Sequence, residues 1–314
     1  MLLFAKKFLI FSIPFLIIMG IEILIDPFNY FGPENDRGMQ ELKEEISQKK
    51  NKYLYRLIEY DRNPTSIIIL GDSRDAKLTP SLFKDITDKS VTNLAGGGGS
   101  LQDMIEIFWG IAKSHKLEKV YMGISLLTYN GILLKDRVSE AIKIKNSLPL
   151  YLTNRTTLES TALICKSKIT GEKIDIEKPP FDREEFWKYQ LEHSARFYST
   201  YSYPQNYFRE LNEISDYCFK NQIELVFCIS PTHVDLQKKI DEFGLRAQRE
   251  KLVDDMRMFG DVYDFDYENA ITKNKDLFGD PYHVRDSIPR VILTEIALHK
   301  PRFAKYYKCA RKNI

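Results

Sequence analysis

From Ser66 onward, short runs of branched apolar residues alternate with longer segments whose apolar positions recur at helical spacing. The runs at 66–70, 91–94, 120–126, 225–230 and 262–265 predict strands. The stretches 101–114, 204–221, 235–259 and 289–299 predict helices between and after them. Short apolar strands separated by helices imply an α/β fold with a central parallel sheet covered on both faces. Ligand sites in such sheets lie beyond the carboxyl ends of the strands. Upstream, residues 39–60 read as one exposed amphipathic helix, which Asn63-Pro64 ends. The stretch 131–203 breaks the rhythm with "KDRVSEAIKIKNSLPLYL", the polar "KSKITGEKIDIEKPPFDREEF" and the aromatic "RFYSTYSY". It reads as a helical insertion with a loop, serving as a lid or docking surface.

The N-terminus has another pattern. Lys6 and Lys7 precede an apolar run over 8–25, interrupted only by Ser12, Pro14, Gly20 and Glu22. Eighteen helical residues rise about 27 Å, close to a bilayer core of about 30 Å. Leu2 to Ala5 extend the span if the two lysines snorkel toward the headgroups. A cleaved signal peptide is the rival, but no A-x-A-like site comes after the run, which ends in "DPFNYFG". The expected organisation is therefore a membrane anchor over 1–30, a linker helix over 31–65 and one catalytic domain over 66–314. Lysines on the N-terminal side place Met1 in the cytoplasm and the rest outside it, in the periplasm or at the cell surface.

Composition narrows the function classes. The 314 residues carry 46 basic and 44 acidic side chains, a net charge of +2, which argues against a dedicated nucleic-acid binder. Cys165, Cys218, Cys228 and Cys309 are scattered without a CxxC pair, so neither a zinc site nor a disulfide framework is suggested.

Three stretches carry candidate chemistry. In "IIILGDSR" an apolar run stops at Gly71-Asp72-Ser73, which puts Ser73 at the carboxyl end of the first expected strand. A serine there attacks only if a nearby base takes its proton. In "VTNLAGGGGSLQDM" a strand ends in four glycines before a helix. Such a junction gathers N–H groups beside a positive helix terminus and suits an oxyanion. Its glycines lack the G-x-G-x-x-G spacing of a dinucleotide site, and no Gly-Lys-Ser/Thr comes after them. Of five histidines, His115 and His299 read as surface residues and His193 falls in the insertion. His233, in "CISPTHVDL", comes after a strand and competes for the role of base. His283, in "FGDPYHVRD", has Asp280 three residues before it, a spacing that lets the carboxylate accept from Nδ1 while Nε2 faces a serine.

In the order Ser73, Asp280, His283, the chain resembles an SGNH/GDSL-family hydrolase over about residues 66–300. Gly71-Asp72-Ser73 is similar to that family's first block, 93–98 to its glycine block, and Asp280-Pro281-Tyr282-His283 to its D-x-x-H block. The resemblance implies a three-layer flavodoxin-like fold and a Ser73–His283–Asp280 triad. It also implies an oxyanion hole from the N–H groups of Ser73 and Gly98, with Gly97 the alternative to Gly98. The family's Gly-x-Asn-Asp block is missing from "VYMGISLLTYN", which leaves Asn130 and Ser125 as candidates for a third contact. The anchor, "DPFNYFG", "GDSR" and "ISPTH" resemble membrane-anchored SGNH-like proteins of bacterial cell-surface polysaccharide O-acylation, as in alginate acetylation and teichoic-acid D-alanylation. That resemblance implies an esterase or O-acyltransferase handling acyl groups, acetyl first, on a glycan. Its expected partners are the bilayer and a membrane-bound O-acyltransferase, and it needs no metal or organic cofactor. The competing expectation is a non-catalytic scaffold that keeps the fold and binds a glycan or a membrane partner.

Overall fold

A computed structural model describes residues 2–133, 135–171, 182–285 and 287–313. Along the chain come α1 (Leu2–Ile25), α2 (Arg37–Lys50), α3 (Lys52–Arg62), β1 (Ile67–Leu70), α4 (Pro80–Thr87), β2 (Thr92–Asn93) and α5 (Leu101–Ala112). β3 (Lys119–Gly123) is followed by five helices, α6 (Ser139–Lys145), α7 (Leu148–Thr153), α8 (Arg155–Thr170), α9 (Arg183–Tyr198) and α10 (Gln205–Lys220). The chain then forms β4 (Glu224–Ile229), α11 (Val234–Glu242), α12 (Arg246–Phe259), β5 (Asp261–Asp264), α13 (Ile288–Leu298) and β6 (Lys305–Tyr307).

These elements group into two compact units, Met1–Asn63 with Arg137–Lys178, and Pro64–Asp136 with Pro179–Ile314. In the first, α1 is long and apolar enough over Lys6–Ile25 to cross a membrane. Its last turn is not free. The Glu22 carboxylate, buried, accepts from Thr161 Oγ1 at 2.8 Å, and Asp26 accepts from the Tyr151 hydroxyl at 2.6 Å. Asp26 also accepts the backbone N–H groups of Tyr30 (2.7 Å) and Phe31 (2.8 Å), folding "DPFNYF" back on itself. Tyr151 then packs against the rings of Phe28 and Tyr30. The helix expected over 39–60 is two helices. Asn51 ends α2 by giving its N–H to the Ser47 carbonyl and starts α3 by accepting from the Leu54 N–H. The stretch expected as one insertion over 131–203 is likewise divided. α6 packs on α3, and α7 and α8 pack on α1, while α9 packs on α11 in the other unit. Residues 172–181, within the expected polar loop, lie outside the described residues.

The second unit is α/β. Its six-stranded sheet has the order β2-β1-β3-β4-β5-β6, parallel throughout except for the antiparallel edge strand β6. All five expected strands form, with shifted ends, whereas β6 and its polar "KYY" were outside the expectation. Every residue of β1 is buried, and alternation sends Ile67 and Ile69 to one face and Ile68 and Leu70 to the other. On the first face Phe83 of α4 and Ile292, Leu293 and Ile296 of α13 join Tyr121, Val226 and Tyr263 in one core. On the second, α5, α10 and α12 pack against β1, β4 and β5. The helix expected over 235–259 is split into α11 and α12 at Gly244, whose φ of +65° lies in the left-handed region. Because the chain steps from β1 to β2 on one side and then crosses back to β3 on the other, the strand order reverses at β1 and opens a crevice beyond its carboxyl end.

Replacing Asp26 by Ala strands a tyrosine hydroxyl and two backbone N–H groups. We expect a loss of about 1–3 kcal/mol from the first unit. Hydrogen exchange on the full chain in detergent should show faster exchange at 28–31 and 148–154, with the sheet unchanged.

Candidate functional site

β1 delivers the chain to the crevice at Gly71, and a buried polar cluster shapes the turn that begins there. Asp72 accepts the N–H of Arg74 at 2.9 Å and pairs with its guanidinium, which reaches on to Ser125 Oγ at 2.7 Å. Asp75, which opens a 3-10 turn over Asp75–Lys77, points the other way, beneath the strand ends. Its carboxyl accepts the Asp72 N–H at 3.3 Å and the Ser230 hydroxyl at 3.0 Å. A Cβ on Gly71 would lie 2.3 Å from Asp75 Oδ2, and one on Gly123 only 1.9 Å from it. Glycine at the ends of β1 and β3 is therefore what makes room for this carboxyl.

The same packing fixes the glycine loop. Asn93 donates from Nδ2 to the carbonyls of Asp75 and Leu78, both at 2.8 Å, and accepts the Ala95 N–H at 2.8 Å. Gly96 N–H donates to the Gly71 carbonyl at 3.2 Å, and a Cβ on Gly99 would meet that same oxygen at 2.7 Å. Gly98 takes φ +65°, and Ser100 and Asp103 close a capping box on α5.

Ser73 stands at the rim of this scaffold with its Oγ 2.7 Å from His283 Nε2. His283 Nδ1 lies 2.7 Å from Asp280 Oδ2 and 2.9 Å from Oδ1. With the ring proton on Nδ1, the imidazole donates to Asp280 and accepts from the Ser73 hydroxyl. Asp280 holds more than the ring, since its Oδ1 also accepts the N–H groups of Tyr282 (2.9 Å) and His283 (3.2 Å). The loop is pinned by His233 N–H to the Pro281 carbonyl at 2.9 Å.

Burial and charge set the carboxyls apart. Burial pushes the Asp72 carboxyl up, but the Arg74 guanidinium outweighs it and holds the group below the usual carboxylate range. At Asp280 burial likewise opposes ionisation, and the hydrogen bond and charge of His283 overcome it, lowering the group. Asp75 feels the Arg74 charge and the Ser230 hydrogen bond only as weaker, opposing effects. Burial first, then the Asp72 charge, push it up to about 7.

Ser73 and His283 line a cavity of about 400 Å³ with Gly98, Gly99, Leu127, Leu133, Phe197 and Tyr282. Of the residues expected from sequence, Ser73, Asp280, His283 and Gly98 are thus brought together, and Gly97 does not line the cavity. Nor does Asn130, which is fully buried, accepting the N–H groups of Ile132 and Ser202 and donating to the Phe197 carbonyl. Ser125 is spent on Arg74 and Thr128. His233 caps α11 by accepting the Asp235 N–H and sits between the rings of Trp187 and Phe278, where burial lowers its pKa. His193, set aside on sequence, lines the cavity from α9, stacked on Tyr189 and edge-on to Phe197. The spacing of 189, 193 and 197, one helical turn apart, was the signal for it. His299, read as a surface residue, is exposed, with its Nδ1 2.9 Å from the Tyr263 hydroxyl.

A larger cavity of about 580 Å³ lies near Arg249, Asp264 and Lys305, but no serine, cysteine or histidine lines it. Among the described residues no group of three His, Cys, Asp or Glu side chains is placed to hold a metal ion.

No protein-family model matches the chain, and no curated protein matches it. A solved structure from Streptococcus pneumonia, provisionally described as a platelet activating factor, is similar at 11% identity with a TM-score of 0.39. The match covers 85% of this chain and 98% of that one.

The seat of Asp75 can be tested in two ways. Gly123→Ala should destabilise the chain by about 1–3 kcal/mol through overpacking, and Asp75→Ala in the same chain should return part of that loss. Chemical denaturation of the four variants of this cycle measures the coupling. The second test concerns pH. The folded chain keeps the Asp75 proton to about pH 7, whereas the unfolded chain releases it near 3.8. Folded chains then bind more protons between those values, so this group makes stability fall as pH rises through the window. Asp75→Asn should flatten that fall in melting temperatures recorded from pH 4 to pH 7.

Proposed function

We propose that the chain is a serine esterase or O-acyltransferase of the SGNH type, tethered by α1 and acting outside the cytoplasm. Its substrate in this reading is an acyl ester of a cell-surface or exported polysaccharide, and a membrane-bound O-acyltransferase is the expected partner. One observation carries the reading: a serine hydroxyl, an imidazole and a carboxylate in hydrogen-bonded series at the wall of a cavity, with glycine backbone beside them.

That series dictates the chemistry. As Ser73 Oγ bonds to the ester carbonyl carbon, its proton passes to His283 Nε2. Asp280, on Nδ1, stabilises the imidazolium and keeps the ring in the productive tautomer. The Ser73 and Gly98 N–H groups take the developing oxyanion, each worth about 2.7–4 kcal/mol of transition-state stabilisation. Collapse of the tetrahedral adduct breaks the ester C–O bond, and His283 returns the proton to the departing alkoxide. Water or a glycan hydroxyl then attacks the acyl-serine by the same steps in reverse.

A fluorophosphonate probe should label the full chain at Ser73, and Ser73→Ala should abolish labelling with an unchanged melting temperature. Labelling that survives in Ser73→Ala, or none in the wild type, overturns the nucleophile assignment and favours a non-catalytic scaffold. Asp280→Asn keeps an oxygen for the Tyr282 and His283 N–H groups but loses the charge. It should lower kcat about 10⁴-fold without unfolding the loop.

A further inference from the structure

The cavity beside Ser73 is much larger than an acetyl group needs, and one side of its wall is apolar. At about 30 Å³ for each water-sized group, 400 Å³ holds about a dozen, against three heavy atoms in acetyl. Asp72 is paired with Arg74, Ser100 Oγ donates to the Lys135 carbonyl, and Thr128 Oγ1 bonds Ser125. The His193 ring is stacked on Tyr189 and meets Phe197 edge-on. Lys135, Gln190 and the Tyr282 hydroxyl add polar groups to the wall, and its apolar side is formed by Leu127, Leu133 and the ring of Phe197. A sugar ring laid on that side would leave the hydroxyls facing Leu127, Leu133 and Phe197 without partners. An alkyl chain would not.

We infer that this cavity receives an unbranched acyl chain of about six to ten carbons, held between Leu127, Leu133 and Phe197 while its carbonyl carbon meets Ser73. The inference rests on the serine-ester reading and replaces acetyl with a longer acyl donor as the preferred substrate. Two of the wall's features come from different parts of the chain. Leu127 and Leu133 come after β3, and Phe197 belongs to α9. Chain length is thus set by how the stretch after β3 faces α9, away from the residues that move the proton.

The test uses the full chain in detergent and p-nitrophenyl esters from two to twelve carbons. kcat/KM should rise about fourfold per methylene until the cavity is filled, then fall. Leu133→Trp should lower the octanoyl-to-acetyl ratio of kcat/KM at least tenfold, and Leu127→Trp serves if the first variant fails to melt cooperatively. A second readout leaves catalysis aside: octanamide binding to Ser73→Ala by calorimetry, repeated with Leu133→Trp added. A profile that peaks at acetyl, with no octanamide binding, overturns the acyl-chain assignment and leaves the esterase reading standing. Octanamide binding that Leu133→Trp removes, without turnover of any ester in the wild type, supports the chain-binding cavity and removes the esterase reading. Absence of both turnover and binding overturns the two together.

Discussion

A single buried carboxyl organises the crevice. Asp75 sits where the strand ends carry no side chain, and the backbone of the serine turn, the hydroxyl of Ser230 and the ends of β1 and β3 meet around it. Its backbone carbonyl is also one of the two that Asn93 ties to the glycine loop. A carboxyl away from water costs several kcal/mol when ionised, and two hydrogen bonds from neutral donors offset only part of that cost. Its position is a compromise between packing and charge, and two glycines are needed to hold it there.

Next to it lies a pair with the opposite solution. Asp72 and Arg74 neutralise one another in a buried place, so that the serine between them projects from a turn whose flanking side chains are spent on each other. The turn presents one hydroxyl and withholds two charges. Asp280 likewise serves several groups at once, one carboxylate holding a ring nitrogen and two backbone N–H groups of its own loop.

Much of this was legible in the sequence, and the exceptions have physical causes. β1, β3 and β4 were visible because parallel strands buried on both faces form apolar runs, and β2 and β5 through the apolar residues beside Thr92, Asn93, Asp261 and Asp264. β6 was not, because "KYY" pairs at an edge and needs no apolar alternation. Boundaries within 39–60 and 235–259 went unseen because Asn51 and Gly244 end helices through backbone geometry, which leaves the apolar period nearly intact. Ser73, Asp280 and His283 were found through order and spacing. Asp75 and Arg74 could not be, since a charge after a strand reads as solvated until the packing shows that it is not. The division of 131–203 between two units escaped for a related reason. Helical spacing says that a face is apolar and not which neighbour covers it.

The sheet is short at both of its edges. Beside β1 the edge strand β2 is two residues long, and beside β5 the edge is the three-residue antiparallel β6, with Lys305 exposed. A strand from another molecule needs a run of unpaired N–H and carbonyl groups to extend a sheet, and neither edge supplies more than a residue or two of it. Copies of this unit crowded at one surface would therefore meet through side chains and not through shared β-structure.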